Sequence, residues 1–219
     1  MSKSWQRERK KDPFYRSAKK VGYRARSAYK LKQIHERFRV FKKGQVVVDL
    51  GAAPGGWTQV AVEEVGEGGL VVGVDLDTIQ PVLGATFVRG DVTKENTVRK
   101  VVERVEERSG RTGRTVDVII SDMSPNISGN YSLDQAQSYW LCHNALKFAE
   151  QTLMHGGIFV AKIFEGEDFV TFRDEMKERF STVRSYSPPA SRKESSEVYL
   201  VGKGYYAPGT EPGPRDEEE

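Results

Sequence analysis

Three polar residues interrupt apolar stretches of the chain in a pattern that could handle a proton. Lys162 lies inside Ile-Phe-Val-Ala-Lys-Ile-Phe, Asp122 ends Asp-Val-Ile-Ile-Ser-Asp, and Glu197 begins Glu-Val-Tyr-Leu-Val. A lysine among such neighbours is costly to bury unless it is paired with an acid or takes part in chemistry. Lys162 is therefore a candidate for orienting or deprotonating a substrate, and a purely structural salt bridge is the plainer alternative.

A glycine-rich turn earlier in the chain indicates a ligand of nucleotide type. Residues 46–57 are predicted to form a buried strand, a tight loop and the start of a helix. Their sequence is Val-Val-Val-Asp-Leu-Gly-Ala-Ala-Pro-Gly-Gly-Trp. Open α/β sheets bind such ligands at this kind of junction. Gly51, Gly55 and Gly56 let the loop backbone approach a ligand that a Cβ atom would exclude.

Two more acids follow predicted strands. Asp75 closes Leu-Val-Val-Gly-Val-Asp and could accept hydrogen bonds from both hydroxyls of a ribose. Asp91 follows Phe-Val-Arg-Gly and could accept one from the exocyclic amine of an adenine. Either acid could equally be a turn or helix-capping residue. On these features alone, a nicotinamide dinucleotide and S-adenosylmethionine fit almost equally well.

The composition sets limits on the class of protein. A chain of 219 residues is long enough for one α/β domain with a sizeable core. No apolar run is long enough to span a membrane, and the basic N-terminus lacks the apolar region of a secretory signal. Cys142 is the only cysteine, and the three histidines are scattered, so no zinc-ligand spacing exists. We expect a cytoplasmic protein with no disulfide, no metal and no membrane anchor.

Charge is distributed unevenly along the chain. Residues 1–43 contain 16 of the 34 lysines and arginines but only 3 of the 31 acids, although the net charge of the whole chain is +3. Trp5, Tyr15, Tyr23 and Tyr29 are interleaved with these cations. Cations that neutralise phosphates, together with aromatic faces that stack on unpaired bases, suit an RNA partner. A solvated tail that binds nothing in particular is the alternative.

The elements that must position these residues alternate along the chain. Apolar patterning predicts strands at 45–50, 70–75, 85–89, 116–121, 157–163, 181–186 and 196–202. Helical spacing predicts helices at 27–39, 57–65, 94–108, 133–154 and 167–179. Gly156-Gly157 should end the long fourth helix and open the next strand. This order predicts a Rossmann-like, mostly parallel α/β sheet, with the last two strands antiparallel because no helix fits between them.

The motifs together resemble the FtsJ/RrmJ-type (RlmE-like) RNA ribose 2′-O-methyltransferase family, over roughly residues 22–203. The similarity rests on Asp-Leu-Gly-Ala-Ala-Pro-Gly-Gly-Trp, Ser-Asp-Met-Ser-Pro-Asn, Lys-Ile-Phe-Glu-Gly-Glu and Ser-Glu-Val-Tyr, in that order. Several long motifs in one order are far more specific than one glycine loop. The resemblance implies an S-adenosylmethionine-dependent methyltransferase fold with a seven-stranded sheet, and RNA as the substrate.

The same resemblance implies the site residues. The family's Lys-Asp-Lys-Glu tetrad falls on Lys30, Asp122, Lys162 and Glu197, and Lys30 ends Arg-Ala-Arg-Ser-Ala-Tyr-Lys as the family pattern requires. The S-adenosylmethionine pocket would be lined by Gly55, Trp57, Asp75, Asp91 and Asp122. The family resemblance favours a uridine of 23S ribosomal RNA in the large subunit as the substrate, with transfer RNA as the alternative. We expect a monomer, with Arg24 and Arg26 meeting RNA phosphates.

Methylation of a ribose hydroxyl needs alignment and the removal of one proton. Aligning the oxygen with an activated methyl group can contribute up to about 7–11 kcal/mol, and proton removal adds typically about 10²–10⁴ in rate. Lys162 is the candidate base if its amine is neutral, which an apolar strand and Lys30 favour and which Asp122 and Glu197 oppose. Otherwise Lys162 orients the hydroxyl and shares its proton through a network. Lys30 would steer the oxygen lone pair, and Glu197 would hold the lysines in place.

Three other functions fit the sequence less well. A nicotinamide dehydrogenase would share the first half, but Ala53 stands where the dinucleotide fingerprint has its second glycine. An enzyme that methylates base amino groups usually carries Asn/Asp-Pro-Pro-aromatic, whereas this chain has Asp-Met-Ser-Pro-Asn at 122–126. A non-catalytic RNA-binding module would not need all four polar residues of the tetrad.

The sequence therefore predicts three parts. Residues 1–43 should form a basic RNA-binding extension with one helix, and residues 44–204 the methyltransferase domain. Residues 205–219, rich in Pro, Gly and acids, should form a disordered acidic tail.

Overall fold

The computed structural model describes residues 12–192 and 195–209. Its strands are Val46–Leu50 (β1), Leu70–Asp75 (β2), Ala85–Arg89 (β3), Val116–Ser121 (β4), Leu153–Phe164 (β5), Phe180–Tyr186 (β6) and Glu197–Tyr205 (β7). Its helices are Pro13–Val21 (α1), Ala28–Phe38 (α2), Gly56–Val65 (α3), Glu95–Ser109 (α4), Tyr131–Thr152 (α5) and Glu167–Lys177 (α6). The predicted α/β class is confirmed, and every predicted strand and helix is present.

The strands of the described residues form one sheet in the order β3-β2-β1-β4-β5-β7-β6. Neighbours from β3 through β5 pair in parallel, and β7 pairs antiparallel with both β5 and β6. The antiparallel pairing of the last two strands is thus confirmed. The strand order reverses between β1 and β4, and in open α/β sheets the crevice at that reversal, beyond the carboxyl ends of the strands, is where ligands bind.

The sheet is covered on both faces. Along β1, Val46 and Val48 belong to the apolar cluster that includes α4, α5 and α6, whereas Val47 belongs to the cluster that includes α1, α2 and α3. Successive strand residues point to opposite faces, so an all-apolar strand is what a sheet buried on both sides requires. This alternation also decides on which face each functional side chain of the strands lies.

The segment predicted to hold one helix holds two. Asp12 caps α1 by accepting hydrogen bonds from the backbone N–H groups of Phe14 and Tyr15, and Gly22 ends α1 in the left-handed conformation. In α2, Leu31 and Ile34 are fully buried against the sheet. The second helix is therefore part of the apolar core around the sheet and does not form a separate arm.

Two boundaries differ from the sequence prediction. Helix α5 ends at Thr152, before Gly156-Gly157, because Leu153 already pairs with Val116 of β4 and the register shifts after that pair. Strand β7 continues to Tyr205, which pairs with Phe180, so residue 205 belongs to the sheet and not to the tail. Residues 1–11 of the predicted extension, including Trp5, and residues 210–219 of the predicted tail lie outside the described residues.

No helix within the described ranges is both long enough and apolar enough to cross a membrane.

We expect Leu31→Ala to lower the free energy of unfolding by about 2–5 kcal/mol, because it empties a fully buried position under α2. Leu133→Ala is the matched control, since Leu133 is exposed on α5 and should change stability by less than about 0.5 kcal/mol. Urea unfolding followed by circular dichroism measures both. Equal stability of the two variants would show that α2 is an appendage and not part of the core.

Candidate functional site

Three carboxylates meet at the carboxyl edge of the sheet. Asp49 is in β1, Asp75 ends β2, and Asp122 directly follows β4. Asp49 is fully buried; its Oδ2 accepts a hydrogen bond of 2.6 Å from Thr58 Oγ1, while its Oδ1 has no partner among the described residues. Burial, with added repulsion from Asp122 and Asp75, raises the pKa of Asp49 to about 7. The charges of Asp75 and Asp122 thus oppose ionisation of Asp49, and a positively charged ligand at this edge would favour it.

The glycine loop closes tightly over this edge. A Cβ atom on Gly51 would lie 2.3 Å from Met123 Cγ, so the loops after β1 and β4 are in contact only because residue 51 has no side chain. Gly55 has φ 106° and caps α3, whose first N–H groups have no partner inside the helix.

Trp57, expected in the cofactor pocket, has its side chain in the core. Its indole is 3% exposed, donates a hydrogen bond of 2.8 Å to the carbonyl of Ser27, and packs on Tyr199 at 5.6 Å between ring centroids. These contacts give Trp57 a structural role, and its contact with a cofactor stays a prediction.

Asp75 and Asp91 both serve as turn acids, as the plainer alternative for them predicted. Asp75 accepts hydrogen bonds of 2.9 Å from the N–H groups of Ala53 and Asp77. Asp91 Oδ1 accepts from the N–H and the hydroxyl of Thr93, and these bonds lower the pKa of Asp91. A carboxylate has about four acceptor sites, so each residue keeps capacity for a ligand. The turn role fixes their orientation without excluding the binding role.

Lys162 and Asp122 form a buried ion pair. The ammonium of Lys162 lies 3.0 Å from Asp122 Oδ1 and donates a hydrogen bond of 2.8 Å to the carbonyl oxygen of the same residue. The side chain of Lys162 is only 6% exposed. Both contacts stabilise the charged ammonium, and they leave its third proton free to point elsewhere.

Lys30 and Glu197 form a second buried ion pair, between α2 and the start of β7. The ammonium of Lys30 lies 2.6 Å and 2.8 Å from the two oxygens of Glu197. Lys30 is itself 8% exposed and shares the buried face of α2 with Leu31 and Ile34. The packing of α2 on the sheet is thus what delivers this lysine to the strand ends.

Tyr199 joins the two ion pairs and was not predicted from the sequence. It is the antiparallel partner of Lys162, donates a hydrogen bond of 2.8 Å to Asp122 Oδ1, and has its ring 5.8 Å from the ammonium of Lys30. Burial first, then the charges of Asp122 and Glu197, raises its pKa well above 10. The signal was present in the sequence, because residues 197 and 199 must share one face of a strand.

The four residues of the predicted tetrad are therefore brought together, as two ion pairs around one tyrosine. Strand alternation places Tyr199, together with Val160 and Val201, in the cluster that contains α1, α2 and α3, which is the face where Lys30 lies. Within the described ranges, no group of three or more histidine, cysteine or acidic side chains could hold a metal ion.

The arginines expected to meet phosphates make contacts within the protein. Arg24 donates hydrogen bonds to the carbonyl oxygens of Pro54, Gln80 and Pro81, and so ties the start of the chain to the glycine loop. Arg26 pairs with Asp12 and donates to the carbonyl of residue 190. These hydrogen bonds use three of the five N–H groups of Arg24, so its contact with RNA phosphate stays a prediction.

The chain is similar to known proteins over most of its length. The family model described as FtsJ-like methyltransferase matches residues 23–205. A protein of Halorubrum lacusprofundi named ribosomal RNA large subunit methyltransferase E is 53% identical, over 89% of this chain and 71% of the relative. A protein of the same name from Acinetobacter baylyi is 44% identical, over 93% of this chain and 91% of the relative. A crystal structure assigned as a ribosomal RNA methyltransferase from Plasmodium falciparum superposes with a TM-score of 0.72 at 27% identity, covering 84% of this chain and 98% of that one.

The buried carboxyl of Asp49 should make the stability of the folded protein depend on pH. The carboxyl ionises near 3.8 in the unfolded chain but only near 7 in the folded one, so the folded state retains a proton that the unfolded state releases. This residue therefore lowers stability progressively as pH rises from about 4 to 7, by roughly 4 kcal/mol in total. Asp49→Asn keeps an acceptor for Thr58 and should unfold at a higher temperature than the wild type at pH 8.

The thermal unfolding of both proteins, without added ligand, measures this difference from pH 4 to pH 8. The advantage of Asp49→Asn should shrink as the pH falls and be absent near pH 4. Asp174→Asn, at an exposed position of α6, serves as the control and should show no such trend. A constant difference at every pH would contradict the proposed protonation of Asp49.

Proposed function

Because this chain belongs to the FtsJ-like methyltransferase family, we propose that it transfers a methyl group from S-adenosylmethionine to a ribose 2′-oxygen in RNA. The observation that carries this proposal is the pair of buried lysine–carboxylate contacts joined by Tyr199 at the carboxyl edge of the sheet. The names of the relatives support ribosomal RNA of the large subunit over transfer RNA. We propose a uridine of the 23S RNA as the target, a cytoplasmic location and a monomeric enzyme.

The charges at the strand ends favour S-adenosylmethionine over a nicotinamide dinucleotide. Asp75 and Asp122 both repel a negative charge on Asp49, and one oxygen of Asp49 has no partner in the described part of the chain. A cation relieves this repulsion, whereas the pyrophosphate of a dinucleotide would add to it. When bound, S-adenosylmethionine supplies a methyl group already activated on a positively charged sulfur.

Five residues are proposed to hold this cofactor. Asp75 would accept the ribose hydroxyls, and Asp91 would accept the adenine amine through the oxygen that Thr93 does not occupy. Gly55 and the backbone of Trp57 would contact it at the first turn of α3. Asp122, between the loop and Lys162, would face the cationic part of the cofactor.

Lys162 is proposed to contact the 2′-hydroxyl of the substrate. Its third ammonium proton, not used by Asp122, can orient the oxygen while Asp122 fixes the direction of the side chain. To accept the hydroxyl proton, Lys162 must first pass one of its own protons to Asp122, whose Oδ1 lies 3.0 Å from the ammonium. The Lys162–Asp122 pair thus acts as one proton-holding unit.

Lys30 is proposed to hold the same oxygen from the other side. Glu197 binds its ammonium through both carboxylate oxygens, so the side chain is fixed before substrate arrives. A fixed cation near the reacting oxygen keeps one lone pair occupied and leaves the other directed at the methyl carbon. Tyr199 lies beside both lysines, since it pairs with Lys162 across the strands and its ring is 5.8 Å from the ammonium of Lys30.

Isothermal titration calorimetry should detect binding of S-adenosylmethionine and no binding of NADH. Asp75→Ala should weaken the affinity for S-adenosylmethionine by roughly tenfold, since it removes a charged acceptor. Asp174→Ala, at an exposed acid far from the strand ends, is the control and should bind like the wild type. Tight binding of NADH, with no binding of S-adenosylmethionine, would exclude a methyltransferase function for the site.

Lys162→Ala should lower kcat by about 10²–10⁴, with the dissociation constant of S-adenosylmethionine unchanged within a factor of two. Lys147→Ala, at an exposed lysine of α5, should keep full activity. Lys162→Arg separates the two roles, because arginine can orient the hydroxyl but does not lose its proton. An arginine variant as active as the wild type would show that Lys162 only orients, and an alanine variant as active would remove Lys162 from the mechanism.

A further inference from the structure

Strand β5 continues beyond its neighbour β4 at the point where Lys162 meets Asp122. The last described pair between the two strands joins Ser121 to Ala161. Strand β4 then leaves the sheet, whereas β5 runs on to Phe164 with β7 as its partner on the other side. Buried backbone N–H and C=O groups that lose a neighbouring strand need other partners. The way in which these groups are satisfied therefore affects how firmly Lys162 is held.

Side chains of α5 supply these partners. Cys142 Sγ donates a hydrogen bond of 2.8 Å to the carbonyl oxygen of Lys162 itself. Ser138 Oγ accepts a hydrogen bond of 3.0 Å from the backbone N–H of Phe164. Residues two apart in a strand direct equivalent groups the same way, so both contacts lie on one side of β5. Helix α5 thus provides with its side chains what a longer β4 would provide with its backbone.

A third side chain of α5 holds the chain just past the strand. Gln135 Nε2 donates a hydrogen bond to the carbonyl oxygen of Glu165. A Cβ atom on Gly166 would overlap the amide group of Gln135, so this close approach depends on a glycine at that position. Gln135, Ser138 and Cys142 are three and four residues apart and share one face of the helix. Each is at most 7% exposed, and we name them the α5 polar stripe.

The same helix also holds the loop that begins with Asp122. Asp134, which is 6% exposed, accepts hydrogen bonds of 2.9 Å and 2.7 Å from the N–H and the hydroxyl of Ser128. It accepts a further one of 3.2 Å from the N–H of Gly129. One helix therefore fixes both the end of β5 and the loop after β4, which carry the two members of the ion pair.

Cys142 is suited to donate and not to react. Its thiol is buried, and burial raises the pKa of the thiol above its ordinary value. A protonated thiol can donate to a carbonyl oxygen, whereas a thiolate can only accept. The single cysteine of the chain thus serves as a neutral hydrogen-bond donor to the backbone of Lys162.

We propose that the α5 polar stripe positions Lys162 for methyl transfer, with Cys142 acting most directly because it holds the backbone of Lys162 itself. This inference rests on the proposed function, because it presumes that Lys162 contacts the substrate hydroxyl. The three residues are positioning residues, since each acts through the backbone of β5. Their effect is on rate, because a displacement of about 1 Å in a reacting group can cost roughly 10² in rate.

The first test compares Cys142→Ala with a rescue variant and a matched control. Cys142→Ser restores a donor of similar size, and Thr152→Val removes a hydroxyl that is equally buried on the same helix. The Thr152 hydroxyl donates to the carbonyl of Phe148 within α5, so its loss does not touch β5. For each variant, methyl transfer from S-adenosylmethionine to unmodified large-subunit ribosomal RNA gives kcat and KM. Thermal unfolding and titration with S-adenosylmethionine show whether the variant is folded and binds its cofactor.

Cys142→Ala should lower kcat roughly tenfold, with the KM for RNA and the affinity for S-adenosylmethionine within a factor of two of the wild type. Cys142→Ser should recover most of this loss, and Thr152→Val should keep the wild-type kcat. In a Lys162→Ala background, Cys142→Ala should cause no further loss, because residues that act through one another are not additive.

A second test needs no turnover. Nitrogen-15 NMR of the lysine ammonium groups reports the surroundings of Lys162, with Lys162→Arg used to assign its signal. The signal should shift in Cys142→Ala and in Ser138→Ala, because both release the backbone of β5. It should stay in place in Thr152→Val.

The inference is overturned if Cys142→Ala turns over like Thr152→Val and leaves the Lys162 signal unmoved. An equal loss of kcat in the wild-type and Lys162→Ala backgrounds overturns it as well, since Cys142 would then not act through Lys162. Failure of the proposed function has a different signature, because wild-type protein would transfer no methyl group to RNA. The NMR comparison still decides whether the α5 polar stripe positions Lys162.

Discussion

The ion pair between Lys162 and Asp122 is the contact on which the rest of the site depends. A lysine in the middle of a buried strand is tolerated only when an acid and further hydrogen bonds compensate its charge. Asp122 provides a carboxylate oxygen and a backbone carbonyl, and Tyr199 in turn binds that carboxylate. Each member is fixed by the next, so the group is rigid before any ligand arrives.

The mixed sheet is what brings these residues together. Parallel strands β1, β2 and β4 bring their acids to one edge, where a nucleotide-like ligand binds in this class of fold. The antiparallel strand β7 runs in the opposite sense, so its beginning, at Glu197, meets the end of β5. Parallel strands bring only residues at their carboxyl ends to this edge. The reversed strand adds residues from its beginning, namely a carboxylate and a tyrosine.

The sequence predicted most of the elements because the apolar periodicity of strands and helices is local. It did not predict that α2 belongs to the core, since the helix sits in a strongly basic segment and its burial depends on docking against α3 and the sheet. It also missed the end of α5, which strand pairing moves to Thr152 although Gly156 is the better local stop signal. Charge alone did not reveal that Arg24 is used inside the protein.

For the site, too, the sequence indicated the residues but not how they contact one another. Motif resemblance indicated Lys30, Asp122, Lys162 and Glu197, but it could not say which lysine pairs with which acid. The pairing follows from the register of β5 on β7 and from the packing of α2. Strand alternation already placed Tyr199 on the face of Glu197, but its hydrogen bond to Asp122 follows only from the tertiary structure.

The product of the reaction tests the account most directly. Purified protein would be incubated with methyl-labelled S-adenosylmethionine and large-subunit ribosomal RNA that lacks its modifications, and the labelled nucleoside would be identified by mass spectrometry after digestion. We predict label on the ribose of a 2′-O-methylated nucleoside, because two lysines converge where a hydroxyl can be aligned. Label on a base, or no label in RNA while the protein still binds S-adenosylmethionine, would contradict the assignment of these lysines.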